Sequence, residues 1–487
     1  MKLSWKIVPW LCLAGLAALS IALIVLPLRL LFEHIPLSYN EGWNAFHTAR
    51  LMAGGPLYPP VASGQFINYP PLSFYVVGLL GKLVGDNIFA GRILALVSLY
   101  IVTLNVGLAA AAAGVPRVLA AISALLFLVF AQIYFADYIA VDEPQWFGHV
   151  FQSAALVLLL RRSQPENWRQ LILPAVLLLI GGLVKQNLVA LPLAVTIWIA
   201  FIDRRLLLQW LAICAAAIAG AALFFFVLYG GRFFEQVVAQ PRYWTTEVLA
   251  WAYLYLGARI TPFIGIGALG SIVGWREPRW RLLLLYLGCG TIVGIGMMGA
   301  EGVIYNALFD CLIAAMLTSA LFVDWTGRWA MSNTVVFRRS GQALTILALT
   351  APGLLVAPHS FDNYGPLFES LGQAPGWKDS IAQIAAAPGD VACEDLSLCY
   401  WAGRQSAIEF FNFGQYIRRH PEAEAAFAEA VSDHRLALIQ KQPDVRNHRL
   451  PPALDEAIAR NYTATQVEPT ILLTPTQKVA VSAPPSP

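Results

Sequence analysis

Residues 7–31 read IVPWLCLAGLAALSIALIVLPLRLL, and the segment 39–71 that follows reads YNEGWNAFHTARLMAGGPLYPPVASGQFINYPP. The first stretch carries only Arg29 as a charged residue and exceeds the roughly 20 apolar residues that cross a bilayer. The second is polar and punctuated by Gly54-Gly55-Pro56 and Asn68-Tyr69-Pro70-Pro71, with Asn40-Glu41 near its start. A turn-rich loop holding a carboxylate beside a membrane helix is a place where chemistry on membrane-borne molecules can be staged.

The remainder of the chain repeats the first signal. Of 487 residues, 58% are hydrophobic and 13% charged, and the mean hydropathy is +0.62, a balance that a soluble globule cannot accommodate. Apolar segments recur at 87–113, 116–134, 146–160, 169–184, 187–202, 206–229, 248–274, 282–298, 303–323 and 341–357, giving about eleven spans in all. The run at 7–31 is too long for the apolar core of a signal peptide and no small-residue cleavage site follows it, so it reads as an anchor.

Basic residues orient the bundle. Lys2 and Lys6, Arg117, Arg161, Arg162 and Arg169, Arg204 and Arg205, Arg276, Arg279 and Arg281, and Arg328, Arg338 and Arg339 fall in alternate loops, which are therefore cytoplasmic. The N-terminus is then inside and the tail outside. The net charge of +3 reports this topology and gives no argument for nucleic-acid binding.

Two domains follow: a helical membrane domain over 1–357, with its first outer loop at 33–86, and an extracytoplasmic α/β domain over 358–487. In the latter, Val391–Trp401 and Leu436–Gln440 read as strands, Glu422–Ser432 reads as an amphipathic helix, and the Pro-rich end reads as disordered. Cys12, Cys214, Cys289 and Cys311 lie in apolar spans, where a thiol behaves as a small hydrophobe. Cys393 and Cys399 lie in the tail on the oxidising side and suit a short-loop disulfide, with a pair of reduced thiols as the alternative. There is no Gly-rich phosphate loop, HExxH or GxSxG motif.

Acidic residues gather on the outer side: Glu33, Glu41, Asp137, Asp142, Glu143, Glu235, Glu247, Glu301 and Asp310. Asp310 reads as lying about two turns into its span, where it faces a cavity or a packing partner. Glu301 suits a helix N-terminus or a sugar-binding role. Asp142-Glu143-Pro144-Gln145 either caps the fourth span or, with His149, offers carboxylate, amide and imidazole to a divalent metal ion, the one candidate cofactor. Three outer basic residues, Arg50, Lys185 and Arg259, either snorkel to headgroups or receive a phosphate. Trp43, Tyr69, Tyr138, Trp146, Tyr243 and Trp244 suit sugar stacking or an ordinary interfacial belt.

Taken in order, the first span, Asn40-Glu41-Gly42-Trp43, Ala49-Arg50-Leu51-Met52-Ala53-Gly54-Gly55-Pro56-Leu57-Tyr58, Tyr69-Pro70-Pro71-Leu72-Ser73-Phe74-Tyr75, Ala90-Gly91-Arg92-Ile93-Leu94-Ala95, the acid-Pro head of the fourth span and Gly182-Leu183-Val184-Lys185-Gln186 resemble the GT-C superfamily of membrane glycosyltransferases. The resembling branch includes protein O-mannosyltransferases and the lipid A aminoarabinose transferase, and the likeness covers roughly residues 1–200. It implies transfer of a sugar from a polyprenyl-phosphate carrier to a lipid, polysaccharide or protein acceptor, in a bacterial cytoplasmic membrane with the active site outside. It also implies a first-loop acid as general base and a second acid that positions the acceptor or a divalent metal. The family's dipeptide is usually Asp-Glu, and this chain has Asn40 at its first position, leaving Glu41 as the surviving carboxylate.

The expected roles are therefore Glu41, Asp142 or Glu143 as base, Lys185, Arg259 and Arg50 on the donor phosphate, and Asn40, Tyr69, Gln145 and Glu301 on sugar or acceptor. Asp142, Glu143 and His149 form the candidate metal set. A transporter or lipid flippase using Asp310, Arg259 and Lys185, and an inactive envelope-assembly scaffold, are the competing classes. The crowding of polar residues on one side and the lack of paired halves weigh against transport.

Overall fold

The structure is a computed structural model that describes residues 7–239, 242–252, 274–330, 360–443, 450–466 and 468–476, with isolated positions at 261, 264, 265, 267, 269, 270, 346 and 351. Arg259, Lys2, Lys6, most of the span read at 248–274, nearly all of that at 341–357 and the Pro-rich end lie outside the described residues.

The chain is mainly helical. In order come α1 (Val8–Leu30), α2 (Tyr39–Met52), α3 (Leu72–Val84), α4 (Asn87–Ala112), α5 (Arg117–Tyr134), α6 (Gln145–Leu160), α7 (Arg169–Val184), α8 (Ala190–Ala200), α9 (Arg204–Tyr229), α10 (Pro278–Met298) and α11 (Phe309–Ala330). Six of the described helices are long and apolar enough to cross a membrane, and α3, α6, α7 and α8 are shorter apolar helices. The protein is a multi-pass membrane protein.

Residues Met1–Phe32 and Asn68–Glu369 form one compact unit, and Glu33–Ile67 and Ser370–Pro487 form another. The first polar loop is thus divided, with α2 belonging to the second unit.

Helix starts in the membrane unit are written into short polar side chains. Asp86 accepts from the amides of Ile88 and Phe89 at 2.7 and 3.1 Å, Asp203 from Leu206 at 2.6 Å, and Glu277 from Arg279 and Trp280 at 2.7 and 3.1 Å ahead of Pro278. Each satisfies amides that have no partner within their own helix. The apolar helices differ in placement: 94% of the best apolar window at α11 is buried, against 6% for α9. α11 is therefore the core helix of this unit, and α9 turns its apolar surface outward. Arg92, 1% exposed, donates to the carbonyl of Leu30 at 2.7 Å and so satisfies an end of α1 with a cation.

Small residues set the approach of α6 and α7. A Cβ on Gly181 would stand 3.1 Å from the Gly148 carbonyl oxygen, and one on Gly148 would stand 2.5 Å from the Leu188 side chain. The two helices cross closely because neither position carries a side chain. Lys185, one turn beyond Gly181, is brought to the head of α6 by this crossing.

The second unit contains α2 and a four-stranded sheet in the order β1 (Asp390–Cys393), β2 (Leu436–Lys441), β4 (Ile471–Pro475), β3 (Tyr462–Gln466), with β1 parallel to β2 and the other pairs antiparallel. Its helices are α12 (Ala374–Ala386), α13 (Leu396–Trp401), α14 (Phe410–Ile417), α15 (Pro421–Ser432) and α16 (Pro452–Asn461). Phe66, Phe410, Phe413, Ile439, Leu454 and Ile458 are among its buried core.

Two local expectations are corrected. The strand read over Val391–Trp401 ends at Cys393, because Asp395 accepts from the Ser397 amide at 3.0 Å and starts α13. An N-cap overrides a strand-like apolar run. Asp310 sits slightly nearer the start of its span than the two turns expected, as the sixth residue of the apolar stretch Tyr305–Arg328, whose first four residues form a separate short helix ahead of α11.

Candidate active site

In the membrane unit, a buried cluster forms where the chain enters α3, where α6 begins and where α7 ends. Ala140 adopts φ 57°, a left-handed conformation that costs a residue with a side chain on the order of 1 kcal/mol, in the approach to Asp142-Glu143. The Glu143 amide then donates to the Val141 carbonyl at 2.7 Å, tightening the turn. The carboxylate of Glu143 receives the Gln145 amide at 2.7 Å through one oxygen and the Lys185 ammonium through the other. Capping and ion pairing thus fall to the same side chain.

Lys185 also donates to the Tyr69 hydroxyl at 3.2 Å, and its Nζ lies 4.3 Å from the Tyr69 ring centroid. Lys185, Glu143 and Asp142 are all at most 4% exposed. Asp142 lies against the backbone of α4: a Cβ on Gly91 would stand 2.0 Å from its Oδ1. The glycine of Ala90-Gly91-Arg92 is the space that this carboxylate fills.

Arg242 brings a second charge to the cluster. It acts electrostatically on both Tyr69 and Lys185, and its guanidinium donates to the Glu301 carbonyl at 3.3 Å. The Arg242 loop is zipped to the last turn of α10 and the turn after it by Glu301 N–H to Tyr243 O at 2.8 Å, Thr245 N–H to Gly299 O at 3.0 Å and Trp244 Nε1–H to Gly296 O at 2.8 Å. Glu301 thus contributes both its backbone amide and its carbonyl to this junction. Burial pushes the Tyr69 phenol up, with Arg242 pulling the other way. Burial and the Arg242 charge both push the Lys185 ammonium down; contact with the Glu143 carboxylate opposes them.

Tyr138 completes this side. Its hydroxyl is buried without a hydrogen-bond partner, while its carbonyl accepts Trp146 Nε1–H at 3.0 Å. Burial, and then the neighbouring Tyr69, push its phenol well up.

A second polar string runs inward from Gln145. Its amide lies 3.5 Å from His149 Nε2 and its carbonyl accepts from Asn306 at 3.4 Å. His149 Nδ1 lies 3.9 Å from Asp310 Oδ1, which accepts the Tyr286 hydroxyl at 2.6 Å. The expected metal set is thereby divided: Glu143 turns to Lys185, Asp142 to Gly91 and His149 to Asp310. Among the described residues, no three His, Cys, Asp or Glu side chains gather to hold a metal ion.

The remaining expected residues belong to the other unit. Glu41, fully buried, sits in the first turn of α2 beside the half-buried Asn40. His47, on the same helix, packs edge-on against Trp43 at 4.9 Å, and neither of its ring nitrogens has a hydrogen-bond partner. Burial, and then the Arg50 charge, push the imidazole down to about 3. Arg50 lies in the last turn of the helix, and the Gly55 amide donates a hydrogen bond to its carbonyl at 2.9 Å. Cys393 and Cys399 form a disulfide.

Sequence reasoning missed Arg242, although the argument that singled out Lys185, a basic group on the basic-poor side, applies to it equally. Nothing in the sequence marks the buried Tyr138 hydroxyl or the orphaned His47 ring, because both are consequences of packing.

No family model matches the chain, and no curated protein matches it in sequence. Solved structures do. ArnT from Cupriavidus metallidurans in the apo state is similar over 94% of this chain and 98% of its own, at TM-score 0.62 and 12% identity. ArnT bound to undecaprenyl phosphate is similar over 95% and 99%, at TM-score 0.60 and 13% identity. The Archaeoglobus fulgidus oligosaccharyltransferase in complex with zinc and sulfate is similar over 96% of this chain and 73% of its own, at TM-score 0.53 and 12% identity. The chain thus shares the fold of GT-C glycosyltransferases, and the resemblance read from its first 200 residues extends in fold to nearly the whole chain.

Proposed function

We propose that this chain is an integral membrane glycosyltransferase that moves a sugar from a polyprenyl-phosphate carrier to an acceptor hydroxyl on the outer face of a bacterial cytoplasmic membrane. The observation that carries the reading is the buried Lys185–Glu143 pair with the Tyr69 hydroxyl on the same ammonium and the Arg242 charge beside it. Helix packing alone does not call for a second cation acting on a buried ammonium, because like charges repel and the buried one is costly to desolvate. A phosphate supplies the oxygens that would match them. The shared fold with ArnT, which has been solved with undecaprenyl phosphate, supports a polyprenyl-linked donor.

In the reaction, the acceptor oxygen attacks the anomeric carbon as the bond from that carbon to the phosphate oxygen breaks. The bonding pair leaves on the polyprenyl phosphate, and a single displacement of this kind inverts the anomeric centre. Lys185 and Arg242 stabilise the charge that develops on the leaving oxygen, and Glu143 keeps Lys185 charged and oriented. Glu41 takes the acceptor proton, and Asp142 orients the acceptor. Asn40, Tyr69 and Gln145 offer hydrogen bonds to sugar or acceptor, and Arg50 offers a further cation for phosphate. The transferred group is a hexosyl or pentosyl unit, and the acceptor is a lipid, a polysaccharide or a protein.

Membranes containing the chain, incubated with a panel of radiolabelled polyprenyl-phosphate sugars, test this reading. Label should pass from at least one donor into an acceptor fraction, and Glu41→Gln should stop it at unchanged expression. Label that stays on every donor contradicts the proposal.

A further inference from the structure

Gly42, the residue after Glu41, meets backbone where a side chain would be. A Cβ built on it would stand 2.1 Å from the Ser397 amide nitrogen, 2.8 Å from Ser397 Cα and 2.9 Å from the Leu396 carbonyl carbon. Such distances exclude every other residue type unless the backbone shifts. The first turn of α2 is therefore seated directly on the start of α13.

That seat is fastened to the sheet. The Glu394 amide donates to the Gln440 carbonyl at 3.0 Å, and the Asp395 amide to the Gln440 side chain at 2.8 Å. In return, the Gln442 amide donates to Glu394 at 2.8 Å and the Gln442 side chain to Asp395 at 3.2 Å. Asp395 also caps α13 through the Ser397 amide. These two acids, 4 and 5% exposed, thus help to bolt one turn to the end of β2 and the residue after it. The Cys393–Cys399 disulfide closes the same turn, tying the end of β1 to the middle of α13, with both cysteines buried.

We propose that the turn 393–399, closed by its disulfide, is a positioning element for Glu41, and that this is the part the C-terminal segment plays in sugar transfer. The inference rests on the reading of Glu41 as the base. A carboxylate working as a base must be held within hydrogen-bond reach of the acceptor oxygen, and displacements of about an ångström cost large factors in rate. Gly42, Cys393 and Cys399 act through the placement of α2 and touch no substrate.

The test uses the full-length protein in proteoliposomes, as wild type, Gly42→Ala, Cys393→Ala/Cys399→Ala and, as a control outside the turn, Glu456→Gln. Two readouts are taken: kcat and KM with a polyprenyl-phosphate sugar that the wild type uses, and amide hydrogen exchange over residues 39–52. Gly42→Ala and the cysteine double variant should each lower kcat at least tenfold with donor KM within twofold, and should speed exchange in α2 at least tenfold while β1 and β2 keep their protection. Glu456→Gln should remain near wild type, because that exposed side chain on α16 lies outside the turn.

Wild-type kcat and unchanged α2 exchange in the cysteine double variant would overturn the proposal, as would equal loss of protection in α2 and the sheet in both variants. If the wild type transfers no sugar, the functional reading fails on its own. The exchange data then still decide whether the turn holds α2.

Discussion

The Lys185 ammonium donates at once to the Glu143 carboxylate and to the Tyr69 hydroxyl, joining the end of α7, the head of α6 and the entry to α3 at one buried point. Three segments far apart in sequence share one charge there. The close crossing at Gly148 and Gly181 makes the junction geometrically available.

Breaking that pair from one side should be costly. Lys185→Met leaves a buried carboxylate without its cation and should destabilise the protein by about 3–5 kcal/mol. Lys185→Met/Glu143→Gln should recover most of this, while transfer stays lost in both. Thermal unfolding in detergent, alongside a transfer assay, separates the two effects.

Arg242 makes its observed hydrogen bond from the surface side of the cluster, to a backbone carbonyl. Arg242→Gln should lower affinity for polyprenyl phosphate about tenfold, equivalent to roughly 1.4 kcal/mol, with melting temperature nearly unchanged. Titration of the purified protein with the lipid checks this, and the salt dependence of binding should flatten in the variant.

Tyr138 offers a prediction in which two signs differ. Its hydroxyl is buried and lacks a hydrogen-bond partner, so Tyr138→Phe should leave stability unchanged or raise it by about 1 kcal/mol. If that hydroxyl meets sugar or phosphate in the bound state, the same variant slows transfer. A more stable and slower enzyme is the expected outcome, read from paired melting and rate measurements.

His47 sets a pH dependence whose sign follows from its environment. Burial holds the folded imidazole neutral down to about 3, whereas the unfolded ring takes a proton near 6.5. Below pH 6.5 the unfolded state therefore binds the extra proton, and stability falls as pH drops, by roughly 1.4 kcal/mol per pH unit as an upper bound, until the folded ring titrates. His47→Phe should flatten the fall in melting temperature between pH 6.5 and 4.5. An unchanged slope would assign it to other groups.

Much of the membrane architecture is legible in the sequence, because a bilayer demands long apolar runs and helix caps mark where they start. The spans read at 87–113, 169–184 and 206–229 match α4, α7 and α9 to within two residues. The division of the first outer loop is not legible, since α2 joins the C-terminal segment through the backbone contact of Gly42 with the start of α13, which no periodicity encodes. The acidic cluster at Asp142-Glu143 is visible as composition, but its partners are not. Whether Glu143 binds a metal or an ammonium depends on where α7 ends in space, and that depends on a glycine crossing. The strand read past Cys393 fails for a local reason, a single capping aspartate inside an apolar run.

The central claim is that the sugar arrives on a polyprenyl phosphate and leaves it here. The most direct measurement is the release of free polyprenyl phosphate from a radiolabelled donor by the purified protein in proteoliposomes, with Lys185→Met as the matched control. The account predicts release coupled to the appearance of label in the acceptor, and its loss in the variant. Release that is equal in wild type and Lys185→Met, or absent from every donor offered, would contradict it.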